Sequence, residues 1–442
     1  MKRILFSIFI FCSSAVFGQE AQEPDNGRAL ASPFPAPPFP GSDWVGSPVI
    51  GAPYSIYNSP LQKALFGKNA DSSKIKIYGW VDASGNISTS KKSNFPMAYG
   101  IAANKLVLDQ LVLRIERYPN TVQKDHIDWG FRLSNVYGID YRYTMMKGIF
   151  SDQLFKKNNL YGYDPTEAYA ILYIPKVAEG MILRVGRYIS PPDIEAQLSP
   201  DNYLSSHSLM FSYDPFTFTG VLADIRLSKY FTLRAEVQGG NDMAFWTNSS
   251  RINGGLMARW VSKNNNNSIY GGINSLGKGQ YRNGHDDLQQ LVATWGHRFG
   301  KKVHMMTEAY YMWQKDGALG GSAVYGPNKY YALNSLNSQG ELTIVPGISK
   351  SIGFVNYFQV QTSAKGYISI RNGFLNDVNG QRTGFATLYT DHTIGYVHYF
   401  SPLVFMRPEV RYERAYEDGV TPYDLGTKKD QFSATMDLVV KF

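Results

Sequence analysis

The stretch FSATMDLVVKF at residues 432–442 alternates: Phe432, Ala434, Met436, Leu438, Val440 and Phe442 fall on one face of an extended strand. Successive side chains of a strand point to opposite faces, so a period of two marks a wall with one apolar and one polar surface. The pattern recurs back along the chain. Met406, Pro408, Val410 and Tyr412 stand against Arg407, Glu409, Arg411 and Glu413. Phe231, Leu233, Ala235 and Val237 stand against Thr232, Arg234, Glu236 and Gln238. Ile75, Ile77, Val81, Ala83 and Ile87 stand against Lys76, Tyr78, Trp80, Asp82, Ser84 and Asn86. Any one such strand suits a soluble sheet as well as a wall between lipid and water.

The connections discriminate. Periodic segments lie near 75–88, 106–117, 125–137, 166–174, 180–189, 217–227, 231–239, 251–262, 268–276, 288–299, 303–314, 343–360, 366–375, 385–400, 404–415 and 431–442. Short turns at 118–124, 175–179, 228–230, 263–267, 300–302, 361–365 and 401–403 alternate without a break with longer connections, the third of which spans 190–216. Ser206–Tyr213 is placed in that third connection, because a separate strand there would make the count odd. Short turns on one side, long loops on the other and an even strand number are the pattern of an all-β transmembrane antiparallel up-and-down barrel. The prediction is sixteen strands over 73–442 with both termini on the short-turn, periplasmic side. Tyr118, Tyr230, Phe231, Trp260, Phe299, Phe358, Phe400 and Phe442 cluster at the short-turn ends and predict an aromatic girdle at one rim. A final amphipathic strand ending on Phe442 resembles the insertion signal read by the bacterial barrel-assembly machinery.

Composition fits a barrel better than a helical membrane protein. Aromatics make up 14% of the chain, with 31 Tyr and 41 Gly, and mean hydropathy is negative. Residues 1–18 read as a secretory signal: Lys2 and Arg3 give a charged start, Ile4 to Phe11 an apolar core, and Val16 and Gly18 small-residue positions before a cut at Gln19. That core is shorter than the about 20 residues a helical span needs. Cys12, the single cysteine, lies inside this leader. The mature chain is therefore expected to have no disulfide, thiolate metal site or Cys nucleophile. Residues 19–72 form a Pro-rich extension, in which Pro33, Pro35, Pro37, Pro38, Pro40, Pro48, Pro53 and Pro60 oppose helix and central strand alike. It is read either as a periplasmic linker or as a lumen plug docked through Trp44, Val49, Ile50, Tyr54, Ile56 and Tyr57.

Catalytic and cofactor motifs are missing. There is no G-x-S-x-G, no H-E-x-x-H and no paired-Cys site. GINSLGKG at 272–279 approaches a phosphate-binding loop, but no Ser or Thr follows Lys278 and no helix follows the loop. His285-Asp286-Asp287 reads as a solvated acidic tip and His304 as a polar wall residue. The expectation is no enzyme, no cofactor, no metal and no nucleic-acid partner.

The inward register carries charge. Arg114, Arg132, Arg184, Arg234, Arg371, Arg407 and Arg411 are predicted pore-lining, with Glu409 and, beside them, Glu116, Glu236 and Glu413. Facing lipid, each arginine would cost about 2–4 kcal/mol at midplane, so each must face water or another side chain. Loss of Lys2 and Arg3 with the leader takes the net charge from +8 to +6. This predicts a weakly anion-preferring lumen, or a self-neutralised wall without selectivity. Loop 190–216 is stiffened by Pro191, Pro192 and Pro200 and follows the fifth strand, so it is a candidate constriction loop. Its Asp193, Glu195 and Asp201 are predicted to oppose Arg114, Arg132 and Arg184 across the narrow zone, with His207 near the loop's end.

IYGWVD at 77–82, LVLRIER at 111–117, DWGFRLSNVYGIDYRYT at 128–144, PTEAYAILYIP at 165–175, LRVGRY at 183–188 and SPDNYLSSHSLMFSYDPFTFTGVLA at 199–223 resemble the β-barrel porin-2 (OmpL-like) family of outer-membrane porins. The resemblance covers roughly 75–440, strong to about 245 and diffuse beyond, and leaves out the Pro-rich lead. It implies a passive outer-membrane channel without catalytic residues. The reading is a porin for small polar solutes or ions, with outer-membrane lipids and the assembly machinery as partners and a homo-oligomer, a trimer, as its assembly. Alternatives are a solute-specific channel and a structural or adhesive barrel with a plugged lumen.

Overall fold

The computed structural model describes residues 42–44, 47–150, 160–248, 250–277, 288–320 and 343–442. The leader, Pro33 to Pro40 and the His285-Asp286-Asp287 tip lie outside them. Sixteen antiparallel strands close into one ring in chain order. They are β1 (Lys76–Ser88), β2 (Leu106–Arg117), β3 (Asp128–Gly138), β4 (Gly162–Ile174), β5 (Met181–Ile189), β6 (Thr217–Arg226), β7 (Phe231–Gln238) and β8 (Asn253–Val261). The ring continues with β9 (Asn267–Leu276), β10 (Gln289–Arg298), β11 (Val303–Lys315), β12 (Ile348–Ser363), β13 (Gly366–Asp377), β14 (Thr387–Ser401), β15 (Val404–Ala415) and β16 (Asp430–Lys441). Among the described residues no helix is long and apolar enough to cross a membrane.

The period of two sets the wall. On β6 and β7, Leu222 is fully buried, whereas Val221 and Val237 stand 45% and 50% exposed on the outer face. Ile87, Leu106, Val185, Leu256, Ile394, Met436 and Leu438 are exposed in the same way. So broad an exposed apolar belt belongs against hydrocarbon and not water. The opposite register is polar and buried: Asp82, Arg114, Glu116, Arg132, Arg234, Arg371, Arg407, Glu409, Arg411 and Asp437 all face inward.

Three local readings differ from the structure. Pro60 opens a helix, α1 (Pro60–Phe66), because a first-turn residue needs no N–H partner; Ser59 caps it by accepting from the Gln62 amide at 3.1 Å. β4 begins ahead of Pro165, and the β3 ladder shifts register there, between Ser134 and Val136, as a residue without an N–H requires. Tyr118 does not join the rim girdle: its ring packs on Tyr54, with centroids 4.6 Å apart. Phe231, Trp260, Phe299, Phe358 and Phe400 do lie exposed on the outer surface.

The seam between first and last strand completes the ring. β16 pairs with β1 from Ser433 opposite Ser88 to Lys441 opposite Trp80. Phe442 and Gly79 then exchange two backbone hydrogen bonds, of 2.8 and 3.0 Å. Closure removes the edge whose backbone groups lipid could not satisfy. Gly79 is demanded by this crossing: a Cβ there would lie 2.1 Å from the Val112 carbonyl oxygen and 2.8 Å from the Phe442 ring. At Gly85, on the same strand, the nearest atom would be Leu106 Cδ1 at 3.4 Å. Gly79→Val should therefore cost about 1–3 kcal/mol and reduce the compact, heat-modifiable band on an unboiled detergent gel, while Gly85→Val leaves it intact. Equal band intensities for the two variants would contradict this role for the seam.

Candidate functional site

The inner face of the barrel is a set of arginine–carboxylate pairs. Arg132 donates to Glu116 at 2.7 Å and Arg114 to Glu167 at 2.7 Å. Arg234 and Arg184 share Asp224, at 2.7 and 3.3 Å. Further round, Arg371 meets Asp391 at 3.1 Å, Arg407 meets Asp437 at 2.5 Å and Arg411 meets Glu413 at 2.6 Å. Buried charges persist only when paired and hydrogen-bonded, and the guanidinium fork supplies both on one side chain.

Loop 190–216 enters this lumen. Its two ends meet where the Ser190 amide donates to the Phe216 carbonyl at 2.9 Å. All its residues are buried except Asp201 and Ser205. Three wall arginines reach its backbone: Arg407 donates to Ser199 O at 2.8 Å and Asn202 O at 3.0 Å, Arg371 to Ser206 O at 2.6 Å, and Arg411 to His207 O. Wall acids take the loop's amides. Glu409 accepts from Ser205 at 3.0 Å, Asp391 from Leu209 at 3.2 Å and Glu308 from Ile194 at 2.7 Å. From the far wall, Gln110 of β2 donates to Gln197 O at 2.7 Å. Within the loop Asn202 closes a small ring, its amide nitrogen and oxygen meeting Ala196 O at 2.5 Å and Ala196 N at 2.8 Å. One turn of helix, α2 (Leu209–Ser212), is capped by Ser208, which accepts from Phe211 N at 3.1 Å.

Apolar packing fills the rest of the outer half. Leu204, Leu209, Met210, Phe211, Tyr213 and Phe216 of the loop form one core with Phe95, Tyr99 and Ile101 of the β1–β2 loop, Ile139 and Tyr143 of the β3–β4 loop, and wall residues such as Met257 and Val355. His207 stacks on Phe211 and holds Ala196 O through Nε2 at 2.8 Å. Burial lowers its pKa to about 3, so it stays neutral between pH 5 and 8 and is no switch in that range. A chamber of about 10 Å³, the room one water needs, remains between Asp82, Asp109, Asp140 and His207.

At the short-turn mouth the described part of the Pro-rich lead packs against the wall. Ile50 is buried among Tyr169, Ile171, Tyr188 and Phe218 of the wall, and Arg226 donates to its carbonyl. Tyr54 donates to Glu116, and Tyr57 donates to Gly79 O at 2.6 Å. A cleft of about 760 Å³ separates this segment and α1 from the β2–β3 turn.

The three acids singled out in the loop therefore sit apart. Asp193 and Glu195 are buried on the β11–β13 side, where Glu195 accepts from Tyr357 at 2.5 Å and lies 3.6 Å from Arg371. Asp201 is exposed and feels Arg114, Lys441 and Arg132 electrostatically. Arg184 has Asp224 as its partner and faces none of them. Asp391, Asp437 and Glu167, which neutralise the arginines, were not singled out in the sequence. Their inward register was the available signal.

A family model described as "Putative beta-barrel porin-2, OmpL-like" matches residues 74–442. The chain belongs to this family of outer-membrane porins. Among solved structures, the anion-selective porin from Comamonas acidovorans aligns with a TM-score of 0.53 at 9% identity, over 83% of this chain and 99% of that one. The outer-membrane channel DcaP of Acinetobacter baumannii aligns at 0.48 and 10% identity, over 83% and 97%. OmpT of Vibrio cholerae aligns at 0.47 and 9%, over 83% and 99%. At these identities the first likeness speaks for the fold alone. No curated protein matches the sequence.

Removing Arg407 should free the loop. Arg407→Ala strips two carbonyl anchors and leaves Asp437, with Asp82 at 3.7 Å from the lost guanidinium, without its cation. The loss of a buried partner is expected to cost about 3–5 kcal/mol. Limited proteolysis of the detergent-folded barrel should then cut within 199–208. Protection equal to the parent, in a variant that still forms the compact gel band, would refute the clamp.

Proposed function

We propose that this porin-2 family member passes small polar solutes or ions along a guarded lumen, narrowed by loop 190–216 from the outer side and by the docked segment 49–58 at the periplasmic mouth. The observation that carries this is the arginine clamp on the loop: Arg371, Arg407 and Arg411 hold its carbonyls. A sixteen-stranded ring is wide enough for an aqueous channel, so the occupant of its lumen sets what passes. Arg114, Arg132, Arg184, Arg234, Arg371, Arg407 and Arg411 each stand beside an acid, which supports weak ion selectivity over the anion preference that net charge alone suggests. Asp201 is the loop acid left accessible and is the residue expected to tune selectivity.

The same reading makes 1–18 an export signal, 19–72 a periplasmic extension that plugs the mouth, Phe442 the residue read by the assembly machinery, and outer-membrane lipids the surround of the apolar belt. It includes a homotrimer as the assembly and no catalysis. The apolar core joining the outer loops favours one second reading, a structural or adhesive barrel with a permanently closed lumen.

Planar-bilayer recordings separate the two. The parent should give small steps, Arg371→Ala with Arg407→Ala larger ones, and Asp201→Lys a reversal potential shifted toward anions. Silence from the parent and the double variant alike would favour the structural barrel. A large constant conductance, indifferent to all three substitutions, would remove the loop from the route.

A further inference from the structure

Asp193 stands near the start of the lumen loop, Asp214 near its end and Glu308 on β11. One carboxylate oxygen from each lies within 4.8 Å of the other two. All three side chains are buried, with relative exposures of 2%, 0% and 2%. Among the described residues no donor reaches either oxygen of Asp193 or of Asp214, whose carboxyls instead lie within hydrogen-bonding reach of each other. Among the described residues Glu308 accepts from the Ile194 amide at 2.7 Å. Five other lumen acids differ: Glu116, Glu167, Asp224, Asp391 and Asp437 each touch an arginine.

We propose that Asp193, Asp214 and Glu308 bind one divalent cation of the calcium class, which ties both ends of the lumen loop to the barrel wall. Buried carboxylates need a counter-charge, and one oxygen from each of the three residues meets the other two in a shared space. The donor set is all oxygen, which suits a hard cation. Calcium holds its ligands at about 2.3–2.6 Å, so two ligands of one ion stand up to about 5 Å apart; magnesium, at about 2.0–2.1 Å, draws them to about 4 Å or less. Oxygens that all lie within 4.8 Å of one another fall inside the span a calcium ion can bridge. A carboxylate binds a cation only when deprotonated, so protons compete for the site. Glu195 of the same loop, Asp242 and Arg382 of neighbouring loops, Tyr270 of β9 and Tyr310 of β11 face the cluster and share its field. That the ion tightens the channel rests on the guarded-lumen reading; that it binds does not.

The test uses the full-length barrel, refolded in detergent free of lipopolysaccharide and titrated calorimetrically with calcium chloride and with magnesium chloride at pH 7.5. The parent should show one saturable calcium site, weaker for magnesium and weakened as the pH falls. Asp193→Asn with Asp214→Asn should lower calcium affinity by at least about tenfold, because charge count sets affinity at such sites. The melting temperature of the parent should rise on adding calcium and return with a chelator. Should the double variant fail to fold, Glu308→Gln and the parent's own calcium-dependent melting carry the decision. No saturable site in the parent, or equal binding in parent and variants, overturns the proposal and leaves shared protons as the counter-charge. Bilayer recordings with and without calcium are read separately: a silent channel would count against the conduction reading and leave the binding result standing.

Discussion

A ring of sixteen strands fixes a lumen too wide for its own wall side chains to fill. Everything else in this molecule answers that constraint. The chain fills the outer half with its own loops, and those loops must find inside the barrel what a soluble protein finds in its core. Apolar side chains from the β1–β2, β3–β4 and β5–β6 loops gather into one cluster against inward wall residues. The inner face is therefore not uniformly polar. It turns apolar where loop side chains meet it, at Met257, Val292, Met306 and Val355, and charged where loop backbone meets it, at Arg371, Arg407 and Arg411.

That division explains why the cations of the clamp are arginines. A guanidinium offers several donors in one plane, so a single side chain can hold a wall acid and a loop carbonyl together. Arg407 binds Asp437, Ser199 O and Asn202 O at once. Arg371 binds Asp391, Ser206 O and Ser206 Oγ. A lysine in either place would present a point charge and lose the geometry. The carboxylate partner keeps the arginine neutralised when the loop is absent, and the carbonyl partner gives the loop its register.

Fold and site were unequally legible in the sequence for the same reason. Alternation and loop length are local properties, so the strand positions, the inward register of Arg114 or Arg411 and the outward register of Met436 could be read residue by residue. Which acid meets which arginine depends on how neighbouring strands are staggered around the ring, and no local pattern records that. Arg184 thus pairs with Asp224 on the next strand, 40 residues on in sequence, and Asp193 lies beside Asp214 and Glu308. The docking of Ile50 and Tyr54 was visible only as apolar residues in a Pro-rich lead, since a plug and a linker share that composition. Pro60 misled because a proline opposes a helix everywhere except in its first turn.

The clamp also orders the ways in which the lumen can change. Each hydrogen bond from an arginine to a loop carbonyl contributes about 1.5–3 kcal/mol, because one partner is charged. Water entering the lumen can replace such a bond, and the arginine keeps its acid meanwhile, so no naked charge is left behind. The apolar part of the loop has no such substitute. Moving Leu209, Met210, Phe211, Tyr213 and Phe216 out of their cluster would expose large side chains, at about 1.5–3 kcal/mol for each one fully exposed. The segment 199–208 takes the arginine bonds and carries the two accessible residues, Asp201 and Ser205, although Tyr203 and Leu204 also sit in the apolar cluster. Residues 209–216 are held by packing. Polar anchorage is thus concentrated in 199–208 and apolar anchorage in 209–216, with Tyr203 and Leu204 joining the two.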